Sequence, residues 1–207
     1  MDEQDFARHF PFVFHTTPRR HLQLIQRDKV LFSAKTLIIQ AEGKYAPRLP
    51  RACRQELRFP DGSVRVLRDQ EPPLRPGQIE LERGFTLEAL SELIDSHVLF
   101  WPREADGLTT SSKYQNEERV ILRIPTADLF AANALPMFCK YNSGAGRATS
   151  GRPSPRGPKL FVGPGAFRAP ISAVREVGFK IKAVLPETTT VSVGSESRWS
   201  RLAARGE

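Results

Sequence analysis

The chain has 207 residues, of which 40% are hydrophobic, with 17 Pro and 14 Gly. That permits one medium-sized packed domain joined by long irregular connections. No apolar run approaches the roughly 20 residues of a membrane helix, and the acidic opening MDEQDF is unlike a secretory signal. Cys53 and Cys139 do not form a metal-ligand pattern. The expectation is therefore a cytoplasmic protein with free thiols, no metal and no membrane partner. A formal charge of +8 favours polyanions, nucleic acid foremost, as partners.

Phe12 to His15 is a short β-rich run in which Val13 and His15 share a face. Thr16 or Thr17 is expected to cap the following helix, with Pro18 at its first position. Leu22 and Ile25 recur at helical spacing, and Val30-Leu31-Phe32 returns toward Ser33-Ala34. The stretch thus reads as strand, polar tip carrying a His, helix and return segment. His15 beside two hydroxyls can hold a polar ligand or be a simple surface His. Lys35 to Gln40 continues as a short helix. Arg48, Arg51, Arg54 and Arg58 then cluster, either as a solvated loop or as an anion clamp. Pro60-Asp61-Gly62 is a turn between Gln55–Phe59 and Val64–Leu67, a β-hairpin.

Leu87 to Ile94 forms an amphipathic helix capped by Thr86, with Phe85, Leu90, Leu93 and Ile94 inward. His97 to Arg103 is a strand closed by Pro102, and alternation lets only one of Phe100 and Trp101 face a pocket. Leu108 to Glu118 reads as polar and exposed. Val120 to Ile124 is a strong strand ended by Pro125, and Thr126 caps a brief helix from Ala127 to Ala132. Pro136 to Tyr141 is another strand, closed by Asn142-Ser143-Gly144-Ala145. From Asn142 to Ala169 the chain is rich in Gly, Pro, Ser and Arg. At about 28 residues it exceeds the roughly 12–15 beyond which structureless loops become uncommon. Its cations, Arg147, Arg152, Arg156, Lys159 and Arg168, suit a phosphate backbone, as a mobile polycationic loop or as disorder without a partner. Val174 to Ile181 is a strand with Glu176 in its middle, where a buried carboxylate needs a partner. Pro186 to Glu207 reads as a polar tail, so the domain is bounded at 1–185 and 186–207.

Several short blocks carry a resemblance. FHTTPRRHLQLIQRDKVLFSA, the aromatic His97-Val98-Leu99-Phe100-Trp101-Pro102 run, Asn142-Ser143-Gly144-Ala145 and Glu176-Val177 resemble an uncharacterised bacterial domain-of-unknown-function family. More distantly, the order of His strand, aromatic strand, loop and Glu strand is similar to the DarT-type DNA ADP-ribosyltransferase toxins. The chain departs from the latter at His21, where Asn is usual, and at Asp28-Lys29, where Gly is usual.

The second resemblance implies an α+β fold, an ADP-ribosyltransferase-like split mixed β-sandwich with short flanking helices and a nicotinamide cleft. It implies NAD as co-substrate and no metal. Glu176 would stabilise the oxocarbenium-like ribose or take the acceptor's proton. His15 would hydrogen-bond the ribose, with Thr16, Thr17, Ser33 and Asn142 adding contacts. Phe100 or Trp101 would stack on nicotinamide, and Arg54 would hold pyrophosphate. The basic 142–169 loop would select a nucleic-acid base in DNA or RNA, as in a toxin or phage-defence effector with a possible antitoxin partner. Two other readings stay open: a non-catalytic nucleotide- or nucleic-acid-binding module, and an NAD glycohydrolase with no macromolecular acceptor.

Overall fold

The structure is a computed structural model that describes residues 1–47, 51, 53–68, 79–112, 118–143, 155–193 and 198–202. Arg48, Arg147 and Arg152 lie outside the described residues, as do Asp69 and Gln70.

The most apolar strand, β7 (Arg119–Pro125), lies inside a four-stranded sheet ordered β1-β7-β12-β13. Val120, Leu122 and Ile124 are fully buried on one of its faces, as period-2 alternation requires. It pairs antiparallel with β1 (Phe12–Pro18), His15 opposite Leu122, and with β12 (Thr190–Val193), which pairs with β13 (Ser200–Arg201). A three-stranded sheet is centred on β10 (Glu176–Lys180), flanked by β6 (His97–Phe100) and β8 (Met137–Cys139). The register sets Val177 against Phe100 and Phe138, so one face carries three large buried groups into the main core. The other face carries Glu176, Cys139, Gly178 and Leu99.

The two sheets touch through one pair of backbone hydrogen bonds. The Phe14 and Trp101 N–H groups each donate to the other's carbonyl at 2.8 Å. Smaller pairs complete the strands: β2 (Val30–Phe32) with β11 (Lys182–Val184), the hairpin β3 (Gln55–Arg58) and β4 (Val64–Leu67), and the parallel β5 (Glu80–Leu81) with β9 (Pro155–Arg156). Six α-helices accompany them among the described residues: α1 (Glu3–His9), α2 (Leu22–Asp28), α3 (Ala34–Glu42), α4 (Leu87–Asp95), α5 (Glu104–Ser112) and α6 (Thr126–Ala132). The class is therefore α+β, built from several small sheets.

Hydrophobic clusters divide the work. The largest gathers Phe6, Val13, Phe100, Phe138, Val177 and Phe179. A second lies under α4 with Leu90, Ile94 and Phe161. A third, of Ile38, Leu57 and Leu67, holds the β3–β4 hairpin on α3.

The differences from the sequence reading have local causes. β1 runs on to Pro18, so Thr16 and Thr17 do not cap a helix. Instead the Thr16 hydroxyl donates to the Gly107 carbonyl at 3.2 Å, and Thr17 bonds His21. Leu108 to Ser112, read as polar and exposed, belong to α5, which packs on β1 at Gly107, where a Cβ would meet Phe14 Cβ at an ordinary contact distance of 3.5 Å. Helix α1, from the acidic opening, is capped by Asp2 and anchored by the fully buried Phe6. Lys29, where the resembled toxins have Gly, takes a left-handed φ of 51° at the end of α2. Its ammonium is tied to the Leu202 carbonyl and to Glu187, an offset for the strain a side chain meets there.

The segment read as a tail is part of the sheet. Val191 and Leu202 are 4% and 1% exposed, and the Trp199 ring stacks on the Arg123 guanidinium at 4.6 Å. The 142–169 stretch is likewise built into the protein where it is described. Leu160, Phe161 and Phe167 are buried, and Val162 bridges Phe138. If residues beyond 185 belong to the fold, Leu202→Ala costs about 2–4 kcal/mol as a buried large-to-small change. That lowers the melting temperature by roughly 5–15 °C for a chain of this size. An unchanged calorimetric melt would show that the C-terminal strands do not carry stability.

Candidate functional site

The junction of the two sheets opens into a cavity of about 320 Å³. It is lined by β1 and α2 on one side, by β4 on a second, and by β6, the end of α4 and Glu176 on a third. Its volume is at the small end of ligand pockets, which run from about 300 to 1,000 Å³.

His15 enters from β1. Its Nδ1–H donates to the Leu99 carbonyl at 2.9 Å, which fixes the tautomer and leaves Nε2 as an acceptor toward the cavity. Burial pushes its pKa down to about 4, and the nearby Arg68 adds to that, so the ring is neutral at physiological pH. His15 also lies 6.5 Å from the Trp101 ring, centroid to centroid, with the planes 25° apart.

Trp101 follows β6. Phe100–Val177 is the last pair of the β6–β10 register, and Trp101, one residue beyond it, shares the cavity lining with Glu176. Trp101 lines the cavity, whereas Phe100 is fully buried in the main core, its ring tilted 53° from that of His15 with centroids 5.5 Å apart. The cavity ring is therefore that of Trp101.

Glu176 is the first residue of β10 rather than its middle, and it is 2% exposed. Burial raises its pKa to about 7, against the hydrogen bond from the Ser143 N–H to Oε2 at 3.1 Å and the pull of Arg156. At neutral pH the carboxyl is thus divided between its charged and neutral forms.

Other predicted residues are placed differently. Thr16, Thr17 and Asn142 line the cavity. Ser33 does not: its Oγ accepts the Thr36 N–H at 3.2 Å as the cap of α3. Arg54 is exposed and away from the lining, which instead includes Arg51. Arg156, expected on a solvated loop, is 3% exposed. Its guanidinium lies over the Tyr141 ring at 4.3 Å and donates to the Asn142 carbonyl at 3.5 Å. It is a buried support behind Glu176 and not a surface phosphate contact. Lys159 and Arg168 are exposed, beside a second, smaller cavity.

The sequence reading makes β4 one strand of a hairpin and gives its Arg65 no role; for Arg68, just after it, a loop-locking pair with Asp69 or a substrate contact is open. Arg65 and Arg68 line the cavity, and Arg68 donates to the Thr16 carbonyl at 3.2 Å. Arg51 bonds both oxygens of the buried Asp95, at 2.8 and 3.1 Å, and the Arg68 carbonyl at 2.7 Å. His21 fastens the hairpin to β1. The Val66 N–H donates to its Nε2 at 3.0 Å, so Nδ1 carries the proton and donates to the Thr17 hydroxyl at 3.2 Å. Burial, with Arg65 and Arg20, brings its pKa down to about 4. The Pro-Asp-Gly turn was the available signal for the hairpin, but nothing in the local pattern says that its arginines meet β1.

Fold and site together define an α+β protein whose two small sheets share a polar-walled cavity. No helix among the described residues is long and apolar enough to cross a membrane. Residues 11–188 match a family of unknown function, DUF7002, and the chain belongs to that family. Comparison with curated proteins and with solved structures finds no match.

The raised pKa of Glu176 has a measurable consequence. Between pH 4.5, its ordinary value, and about 7 the folded chain keeps a proton that the unfolded chain has released. Stability therefore falls as pH rises through that window. Glu176→Gln removes this dependence, so the variant is expected to gain up to about 3 kcal/mol on the wild type between pH 5 and 8. The histidines titrate alike in both chains and cancel in the difference. A stability difference constant across that range would contradict the buried-carboxyl account.

Proposed function

We propose that the protein is an NAD-dependent ADP-ribosyltransferase on an ADP-ribosyltransferase-like split β-sandwich, with a nucleic-acid base as acceptor. The observation that carries the reading is the convergence of His15, Trp101 and Glu176, from three separate strands or strand ends, on one cavity. The donor set suits the co-substrate. His15 Nε2 accepts a hydrogen bond from a ribose hydroxyl. The Trp101 ring offers a stacking face for nicotinamide. Arg51, Arg65 and Arg68 lie in the same cavity wall and counter a diphosphate.

Bound NAD would supply the bond to be broken, between its ribose and nicotinamide. The chain's own part is electrostatic and proton-transferring. The ionised Glu176 favours positive charge developing on the ribose and accepts the proton that the acceptor gives up. The low dielectric that raises its pKa also strengthens that field. A surface surplus of cations, at +8 overall, favours a polyanionic acceptor.

A second reading, a nucleotide-binding module without transfer, is favoured by one feature: the Glu176 carboxyl is buried and held by the Ser143 N–H. Labelled NAD separates the two. Incubation with DNA or RNA is expected to transfer label, at a rate that rises with pH through about 7 as Glu176 ionises. Glu176→Gln should lower transfer about 10²–10⁴-fold, the range for a positioned acid–base group, while NAD still binds. Label released only as free ADP-ribose, with or without nucleic acid, would identify a glycohydrolase. NAD binding with neither transfer nor release, in wild type and variant alike, would establish the module and overturn the transferase.

A further inference from the structure

A second cavity, of about 200 Å³, lies on the far side of the β8 strand end, where residues 159–169 wrap along it. Its floor is apolar, with Phe138 and Phe167 buried. Its rim is cationic: Lys140, Lys159 and Arg168 all contribute, and no Asp or Glu lines it. Among the described residues none of the three cations pairs with a carboxylate. By contrast Arg8, Arg19, Lys35 and Arg51 each do so elsewhere on the molecule. Tyr141, between rim and floor, is flanked by two cations, with Lys140 at 5.1 Å from its ring centroid and the buried Arg156 at 4.3 Å.

Three like charges held around one concavity repel one another unless an anion sits among them. Arg and Lys here offer the two complementary ways of holding phosphate, a planar fork and a mobile point charge. The cavity is too small for a whole dinucleotide and large enough for a phosphate group with part of its ester. We propose that it is a phosphate-binding site, bound by Lys140, Lys159 and Arg168, with Tyr141 against the ester. It is separate from the cavity of His15 and Glu176 yet adjacent to it, because Tyr141 lines one and Asn142 the other. The inference does not depend on NAD chemistry in the larger cavity. The same chemistry takes a phosphodiester of a strand or a phosphorylated small molecule.

The test is direct binding by the full chain. The probes are inorganic phosphate, adenosine monophosphate and a labelled single strand of about ten nucleotides, a length within the usual site sizes for such strands. They are compared in the wild type, in the double variant Lys159→Gln/Arg168→Gln, and in Lys140→Ala. At least one probe is expected to bind, with at least tenfold loss in the double variant and an unchanged melting temperature, since both side chains are exposed. If the strand is the ligand, the slope of log affinity against log salt becomes shallower by roughly 1.4, for two lost phosphate contacts. If the small phosphates bind and the strand gains nothing over them, the ligand is a phosphorylated small molecule. Binding of no probe, or equal binding by wild type and both variants, overturns the site. A folded chain that binds phosphate here but never turns over NAD would refute the transferase and leave this site standing.

Discussion

Two backbone hydrogen bonds between Phe14 and Trp101 join the two sheets that bring His15, Trp101 and Glu176 to the cavity. They are the main-chain contact by which the sheet containing β1 meets the sheet containing β10. They occur where each strand is about to present a functional side chain. Immediately after Phe14 comes His15, whose Nδ1–H continues the seam by bonding the Leu99 carbonyl. Across the three-stranded sheet, the register ends at Phe100 with Val177, and the next residue on each strand, Trp101 and Glu176, lines the cavity. The imidazole, the indole and the carboxyl are therefore positioned by one junction rather than by three independent loops. Sites built on strands in this way hold their geometry more closely than sites on loops.

The seam also sets the electrostatics. Closing two sheets over a carboxyl removes water from it, and burial accounts for most of the rise in the pKa of Glu176. The same closure lowers the pKa of His15, so the acid moves toward its neutral form while the imidazole stays neutral. Arg156 moderates the effect on the acid from behind, which is why a cation read as a surface contact is buried. The arginines of β4 and the Arg51–Asp95 pair bring positive charge to the opposite wall. The cavity thus has an acidic end and a basic end.

Much of this layout was legible in local sequence pattern. Alternation gave the β1, β6, β7 and β10 cores, the Pro-Asp-Gly turn gave the β3–β4 hairpin, and Thr86 gave the start of α4, where its hydroxyl accepts the Ala89 N–H. What was not legible depends on contacts between segments far apart in the chain. Helix α5 has little amphipathic pattern and meets β1 at Gly107, whose carbonyl accepts the Thr16 hydroxyl. The C-terminal strands look polar because β12 and β13 are short and β13 lies at the sheet edge. The 159–169 segment reads as loop by composition, yet its few large side chains, Leu160, Phe161 and Phe167, all go inward. The choice between Phe100 and Trp101 needed the direction of the sheet face, which alternation alone cannot supply.

Lys29 gives the tie between Leu202 and the helix after His15 a consequence of its own. The first contributor to the cavity, in β1, and the last strand of the described chain are linked through one ammonium and one shared sheet. Glu176 comes late in the order of synthesis, and the sheet that braces β1 is complete only some 25 residues later. A ribosome-bound or prematurely ended chain therefore carries the imidazole and the indole without the acid between them. Whatever chemistry the cavity performs is withheld until Glu176 and the strands after it have been made.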